Sequence, residues 1–132
     1  MTVGQVTELR VAITVDDFDA AVAFYRDSVG LELMADWTSP DGRVVALAAG
    51  RATLELVDRN QAAFIDSVEV GRRVSGPVRL ALEVPDSASA VAELARAGAT
   101  VVAEPRTTPW GDRNTRLADP EGMQLTLFTV VQ

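Results

Sequence analysis

Along Arg10-Val-Ala-Ile-Thr-Val15, apolar side chains alternate with polar or small ones, the period of two that marks a β-strand. The alternation returns in Arg79-Leu-Ala-Leu-Glu-Val84. After each run comes an aspartate, Asp17 or Asp86, placed to accept hydrogen bonds from the N–H groups of a first helical turn. Apolar residues at helical spacing follow: Phe18, Ala21, Val22, Tyr25 and Val29 in the first copy, and Ala88, Val91, Ala92 and Leu94 in the second. Gly30 and Gly98 end the two helices. Residues 10–23 and 79–92 align with seven of fourteen positions identical, so the chain carries a tandem repeat.

Three strand-like runs follow each helix: 31–36, 43–48 and 52–57 in the first copy, and 100–104, 113–118 and 123–130 in the second. Ser39-Pro-Asp-Gly42 and Asp119-Pro-Glu-Gly122 supply turns, and a short helix is expected near Asn60–Ser67. The pattern predicts an α+β fold, two tandem βαβββ modules forming a curved mixed sheet around an open cleft. It is read as one domain over residues 1–132, with module one at 5–58, a linker at 59–76 and module two at 77–132.

Strand parity sorts the side chains. Val11, Ile13, Val15, Leu54 and Leu56, with Leu80, Leu82, Val84, Leu125 and Leu127, make an apolar face for the helices to cover. Each is worth roughly 1.5–3 kcal/mol when fully buried, so this face is the expected core. The reverse face carries Arg10, Ala12 and Thr14; Thr53, Glu55 and Val57; Arg79, Ala81 and Glu83; and Gln124, Thr126 and Phe128. A slip of one residue would bury Arg10 and Arg79 under the helices, which pins the register. The two copies are expected to face each other across a pseudo-twofold axis and enclose a cleft.

Composition narrows the chemistry. The 132 residues include no cysteine and no histidine, and all twelve basic residues are arginine. Thiolate, imidazole and Schiff-base chemistry are thereby absent from the chain's own repertoire, which leaves carboxylates, hydroxyls and Tyr25. A net charge of −7 argues against nucleic acid as a partner and favours neutral or cationic ligands. No apolar run reaches membrane-spanning length and no signal peptide is legible, so the expected setting is the cytoplasm of a bacterium.

The string 15–33, Val-Asp-Asp-Phe-Asp-Ala-Ala-Val-Ala-Phe-Tyr-Arg-Asp-Ser-Val-Gly-Leu-Glu-Leu, together with Trp-Gly-Asp-Arg at 110–113 and Asp-Pro-Glu-Gly at 119–122, resembles the vicinal oxygen chelate superfamily. That group holds glyoxalase I, extradiol dioxygenases, fosfomycin-modifying enzymes and the bleomycin and mitomycin resistance proteins. The resemblance covers nearly the whole chain and implies the paired-module fold. It also implies four metal-ligand positions, usually His and Glu, which fall here on Arg10, Glu55, Arg79 and Thr126. Protonated guanidiniums cannot ligate and would repel a cation, so neither metal nor other cofactor is expected.

Trp37 and Trp110 adjoin turn residues, a setting that suits a ligand-contacting aromatic better than a core one. Drug-sequestering members of the family, by resemblance, hold flat ligands between aromatic rings. The expected ligand-binding residues are therefore Arg10, Trp37, Glu55, Arg79, Trp110, Asp112, Thr126 and Phe128. The favoured function is metal-free binding of an aromatic or hydrophobic natural product or antibiotic, of the self-resistance type. A metal-independent isomerase or lyase with Glu55 or Glu83 as base is the alternative, weakened by the expectation that a neighbouring arginine lowers the base's pKa. A third reading is a catalytically degenerate, structural or regulatory member. By analogy the protein is expected to be a homodimer, with the linker around Phe64 and Ile65 as a place of contact.

Overall fold

A computed structural model describes residues 4–131. Module one runs β1 (Glu8–Thr14), α1 (Phe18–Val22), β2 (Glu32–Asp36), β3 (Val44–Ala49) and β4 (Ala52–Val57). The linker holds α2 (Arg59–Glu69). Module two runs β5 (Val78–Glu83), α3 (Ser87–Arg96), β6 (Thr100–Thr107), β7 (Arg113–Ala118) and β8 (Gln124–Thr129). The eight strands form one unclosed sheet in the order β2-β3-β4-β1-β5-β8-β7-β6. The mixed α+β architecture with two βαβββ modules is thus the observed one.

The modules do not face each other as separate sheets; they join edge to edge. β1 pairs antiparallel with β5, and Val11 lies opposite its own repeat equivalent, Leu80, so the pseudo-twofold passes through that pair. Sheet continuity satisfies the ladder groups of both first strands, which two facing sheets would leave as open edges.

Parity fell as the alternation required. Under α1, Phe18, Val45, Leu47 and Leu56 form one core cluster, with Ile13, Val15 and Leu54 packed against it. Under α3, Val84, Ala90, Leu117 and Leu127 form the second, joined by Leu82, Val91, Leu94 and Leu125. Asp17 caps α1 by accepting from the Ala20 N–H at 3.0 Å, and Asp86 caps α3 through the N–H groups of Ala88 and Ser89.

Three expectations need correction. First, the helix after Asp17 turns π-helical over Ala23–Ser28, with Leu31 N–H donating to Tyr25 O and Val29 N–H to Phe24 O. The wider turn takes Val29 off the inward face, leaving it 52% exposed. Second, α3 presents Ser87, Ala90, Val91 and Leu94 inward rather than Ala88 and Ala92, which are exposed. In a run this rich in alanine and serine, side-chain character alone does not set the helix phase. Third, α2 lies on the reverse face of the sheet, not beside the other helices, and bonds to β7 and β8 side chains there. Phe64 and Ile65, the expected place of a subunit contact, border the space between α2 and the sheet, Ile65 buried and Phe64 half-buried.

The seat of α2 depends on Gly42. A methyl carbon built there would lie 2.5 Å from Gln61 Cα and 2.6 Å from Gln61 Cβ, and would also press on the Gln61 backbone nitrogen. Gly42→Ala is expected to cost about 1–3 kcal/mol, because a helix backbone cannot yield as a flexible side chain can. Chemical denaturation checks it; an unchanged midpoint would mean that α2 sits elsewhere.

Candidate functional site

Reverse-face residues of β1, β4, β5, β7 and β8 face one side of α2, and between them lies a cavity of about 560 Å³. All eight residues expected to bind ligand line it: Arg10, Trp37, Glu55, Arg79, Trp110, Asp112, Thr126 and Phe128. Glu83 lies on the same face of β5, close enough to influence Arg10, but it is not part of the wall.

Alternate residues of adjacent strands converge at the floor. β1 runs parallel to β4 with Ala12 opposite Glu55, and antiparallel to β5 with Ala12 opposite Arg79. The small Ala12 leaves room, and both guanidiniums close on the carboxylate. Arg79 Nη2 lies 3.7 Å from Glu55 Oε1, and Arg10 Nη1 lies 3.9 Å from Glu55 Oε2. These are ion-pair distances, too long for hydrogen bonds, and among the described residues no donor binds the Glu55 carboxylate. Burial therefore dominates and raises the Glu55 pKa, with Arg79 and then Arg10 pulling the other way. This reverses the expectation that the arginines would lower it. Burial also raises Asp112, against a weaker pull from Arg10.

Arg10 is held on several sides. Glu8 pairs with its Nε at 3.0 Å, and Thr53 Oγ1 donates to the same Glu8 at 2.7 Å. The guanidinium lies 5.3 Å from the Trp37 ring centroid and 4.8 Å from that of Phe128, within cation–π range of both. Its Nη groups border the cavity with no hydrogen-bond acceptor among the described residues. Trp110 closes the far rim, 6.3 Å from Phe64 between centroids.

Thr126 has no bonding capacity to spare. Its Oγ1 accepts from Arg79 Nη1 at 3.0 Å and from Arg116 Nε at 3.2 Å, and it donates to Glu69 Oε1 at 2.8 Å. Thr126 therefore borders the cavity as a strut, its hydroxyl fully committed to Arg79, Arg116 and Glu69.

A buried charge network missing from the sequence reading fixes α2 in place. Arg116 is fully buried on β7, and its guanidinium donates to Asp66 Oδ1 and to Glu69 Oε1, both at 2.9 Å. Ser75 Oγ, Gln124 and Thr126 accept further bonds from it. Burial alone would raise Asp66, yet the Ser75 hydroxyl, the N–H groups of Ser75 and Val74, and Arg73 all donate to it. Together they hold it far below the usual carboxylate range. Asn114 Nδ2 adds a bond to Glu69 Oε2 at 2.8 Å. The available signal was parity: Asn114 and Arg116 alternate on β7 as Arg10 and Ala12 do on β1, and Asp66 and Glu69 are three apart on one helix face.

The donor set does not fit a divalent cation. Of the four positions where the superfamily places ligands, two are guanidiniums, one is a saturated threonine and one is a lone glutamate. Among the described residues no three His, Cys, Asp or Glu side chains converge as a metal-binding group. Adding Zn²⁺, Ni²⁺ or Mg²⁺ is expected to leave the melting temperature unchanged, whereas a bound ion would raise it by mass action. A stoichiometric ion with a raised melting temperature would contradict this.

The fold and the cup define the chain as a paired-βαβββ protein with a small-molecule cavity. It belongs to the Glyoxalase/Bleomycin resistance protein/Dioxygenase superfamily, whose sequence model matches residues 8–127. Among solved structures, methylmalonyl-CoA epimerase from Mycobacterium tuberculosis is similar, with a TM-score of 0.70 and 24% identity over 100% of this chain and 93% of the other. A variant of Streptomyces coelicolor methylmalonyl-CoA epimerase, in complex with 2-nitronate-propionyl-CoA, gives 0.68 and 24% over 97% and 100%. A hypothetical protein from Bacillus halodurans C-125 gives 0.70 and 16% over 97% and 95%. At these identities the likeness establishes the fold. No curated protein sequence matches the chain. Among the described residues, no helix is long and apolar enough to cross a membrane.

Proposed function

We propose that the protein is a metal-independent isomerase in which Glu55 carries a proton between two positions of a small carbonyl-bearing substrate. One observation carries the reading: a carboxylate 7% exposed, raised in pKa by burial and lacking a hydrogen-bonded partner among the described residues, opens on a cavity beside an arginine with unengaged donors. Raising a glutamate toward neutrality brings it closer to the range where general-base catalysis works best. Ionised Glu55 removes a proton from carbon next to the carbonyl. Arg10 then holds the oxygen on which charge collects. The captured proton exchanges with solvent while the intermediate is bound, and the same carboxyl delivers a proton further along the molecule, so substrate and product are isomers and no co-reactant is consumed. The similarity to epimerases agrees with such chemistry without fixing the substrate.

Incubation of the purified protein with a bacterial metabolite extract in deuterium oxide tests the reading. Mass spectrometry should find one or more compounds gaining a deuterium with the native chain and not with Glu55→Gln. Compounds retained by the protein but recovered unlabelled with both would overturn it.

That second outcome is the signature of sequestration, a reading that the rim favours. Trp37, Trp110, Phe64 and Phe128 together line the cavity, and stacking against such rings adds roughly 0.5–1.5 kcal/mol beyond area burial. Sequestration of a flat antibiotic in a bacterial cytoplasm would use the same cup and would quench tryptophan fluorescence. Either function is compatible with a homodimer, which exposed Phe24, Val29, Leu33 and Met34 support as an apolar contact area. Light scattering should then return twice the 14.1 kDa chain mass; a monomeric mass would remove the dimer.

A further inference from the structure

Glu55 stands between two guanidiniums and is bonded to neither. Arg79 Nη2 stops 3.7 Å from Oε1, and Arg10 Nη1 stops 3.9 Å from Oε2. Buried opposite charges ordinarily close to about 2.7–2.9 Å and form a charge-assisted hydrogen bond. Here the carboxylate keeps both lone-pair edges uncovered: neither Glu55 oxygen is fully occluded, and the side chain lines the cavity. Each arginine has an engagement on its far side that accounts for the gap.

Arg79 is held from β8. Its Nη1 donates to Thr126 Oγ1 at 3.0 Å, on the strand that pairs with its own. The one proton of that hydroxyl goes to Glu69 Oε1 at 2.8 Å, which leaves its lone pairs to Arg79 and Arg116. Glu69 is fixed on α2 by Arg116, so Thr126 is a set post and not a free rotor. A guanidinium is planar, and an Nη1 tied to β8 limits how far Nη2 swings toward β4. Arg10, the repeat equivalent, is held by other chemistry. Glu8 pairs with its Nε at 3.0 Å and is itself fixed by the Thr53 hydroxyl at 2.7 Å. The charges that face Glu55 are thus Arg79 on β5, Arg10 and Glu8 on β1, and Glu69 on α2.

We propose that Thr126, through Arg79, and Glu8, through Arg10, are positioning residues that hold both guanidiniums off Glu55 and keep its oxygens free for the substrate. The inference rests on Glu55 being the proton carrier of the isomerase proposed above. Positive charge close by still favours an electron-rich intermediate, while no fixed N–H covers the lone pair that must take the proton. With an anchor removed, its arginine closes on Glu55, the ionised form gains a hydrogen bond, and the base weakens.

Thr126→Val tests this on the full chain, because it removes the hydroxyl at constant charge and nearly constant size. The readout is a carbon-13 titration of the Glu55 carboxyl with no ligand present. Its midpoint is expected to fall by about one pH unit or more, the worth of a hydrogen bond to a charged group. Thr126→Ser restores the hydroxyl and should return the midpoint to the native value, which a loss of packing alone would not do. Should Thr126→Val fail to fold, Glu8→Asp keeps the charge but withdraws it from Arg10 by one methylene, and should lower the midpoint in the same direction. A midpoint that stays or rises in the folded valine or aspartate variant, or a serine variant shifted as far as valine, would overturn the standoff. Deuterium incorporation dependent on Glu55 reads the isomerase separately. Its absence alongside lowered midpoints ends the isomerase alone, and its presence alongside unmoved midpoints ends the standoff alone.

Discussion

Arg116→Met is expected to lower stability by about 3–5 kcal/mol, enough to unfold a large share of a marginally stable chain. The substitution nearly conserves volume, so the loss is electrostatic. Asp66 and Glu69 would stay buried with their main guanidinium partner gone. Arg73 still reaches Asp66 at 2.8 Å, but nothing comparable reaches Glu69, whose remaining bonds are from Asn114 and Thr126. Removing the whole network at once, with Arg116→Met, Asp66→Asn and Glu69→Gln combined, should recover much of the loss, because a buried ion cluster is far more damaging to break than to replace entirely. Urea unfolding of the single and triple variants is the measurement. A single variant within about 1 kcal/mol of native would mean that α2 is not held through Arg116.

The other large effect is at Glu55. Glu55→Gln keeps the shape of the side chain and removes its proton chemistry, so deuterium incorporation is expected to fall by about two to four orders of magnitude. The native rate should rise with pH as Glu55 ionises. Stability moves the opposite way. Because the folded-state pKa is raised, the native chain holds a proton that the unfolded chain has already released in the window above the ordinary glutamate value. Native stability therefore declines as pH rises through the folded pKa. Glu55→Gln carries no such penalty and should be the more stable protein at neutral pH, with the gap closing below about pH 4. A variant that loses activity while gaining stability points to a functional carboxylate rather than a structural one.

Asp66 contributes with the reverse sign. Its lowered pKa gives stability that is full above the ordinary aspartate range and is lost only as pH falls through the depressed value. Acid unfolding should accordingly begin well below about pH 4.

Much of the cup was legible in the chain because strands obey parity. With Val11 and Ile13 on the helix side, Arg10 had to point to the reverse, and the repeat carried the same logic to Arg79. Trp37 and Trp110 were legible from their turn residues. Their place on the cavity rim is geometric, and whether they touch a ligand is part of the proposal. The seat of α2 was not legible: a linker of 59–76 can lie on either face of a sheet, and only the pairing of Asp66 and Glu69 with Arg116 chooses one. Arg116 stands 47 to 50 positions along the chain from those two partners, beyond the reach of local pattern. The electrostatics of Glu55 escaped for a related reason. Proximity to Arg10 and Arg79 was foreseeable, but the pKa turns on burial beneath α2, a tertiary quantity.

The most direct measurement is a carbon-13 NMR titration of the Glu55 carboxyl, assigned by its disappearance in Glu55→Gln. A midpoint clearly above the ordinary glutamate value of about 4.3 is predicted. A midpoint at or below that value would show a carboxylate neutralised by its two arginines, and would contradict Glu55 as the proton carrier.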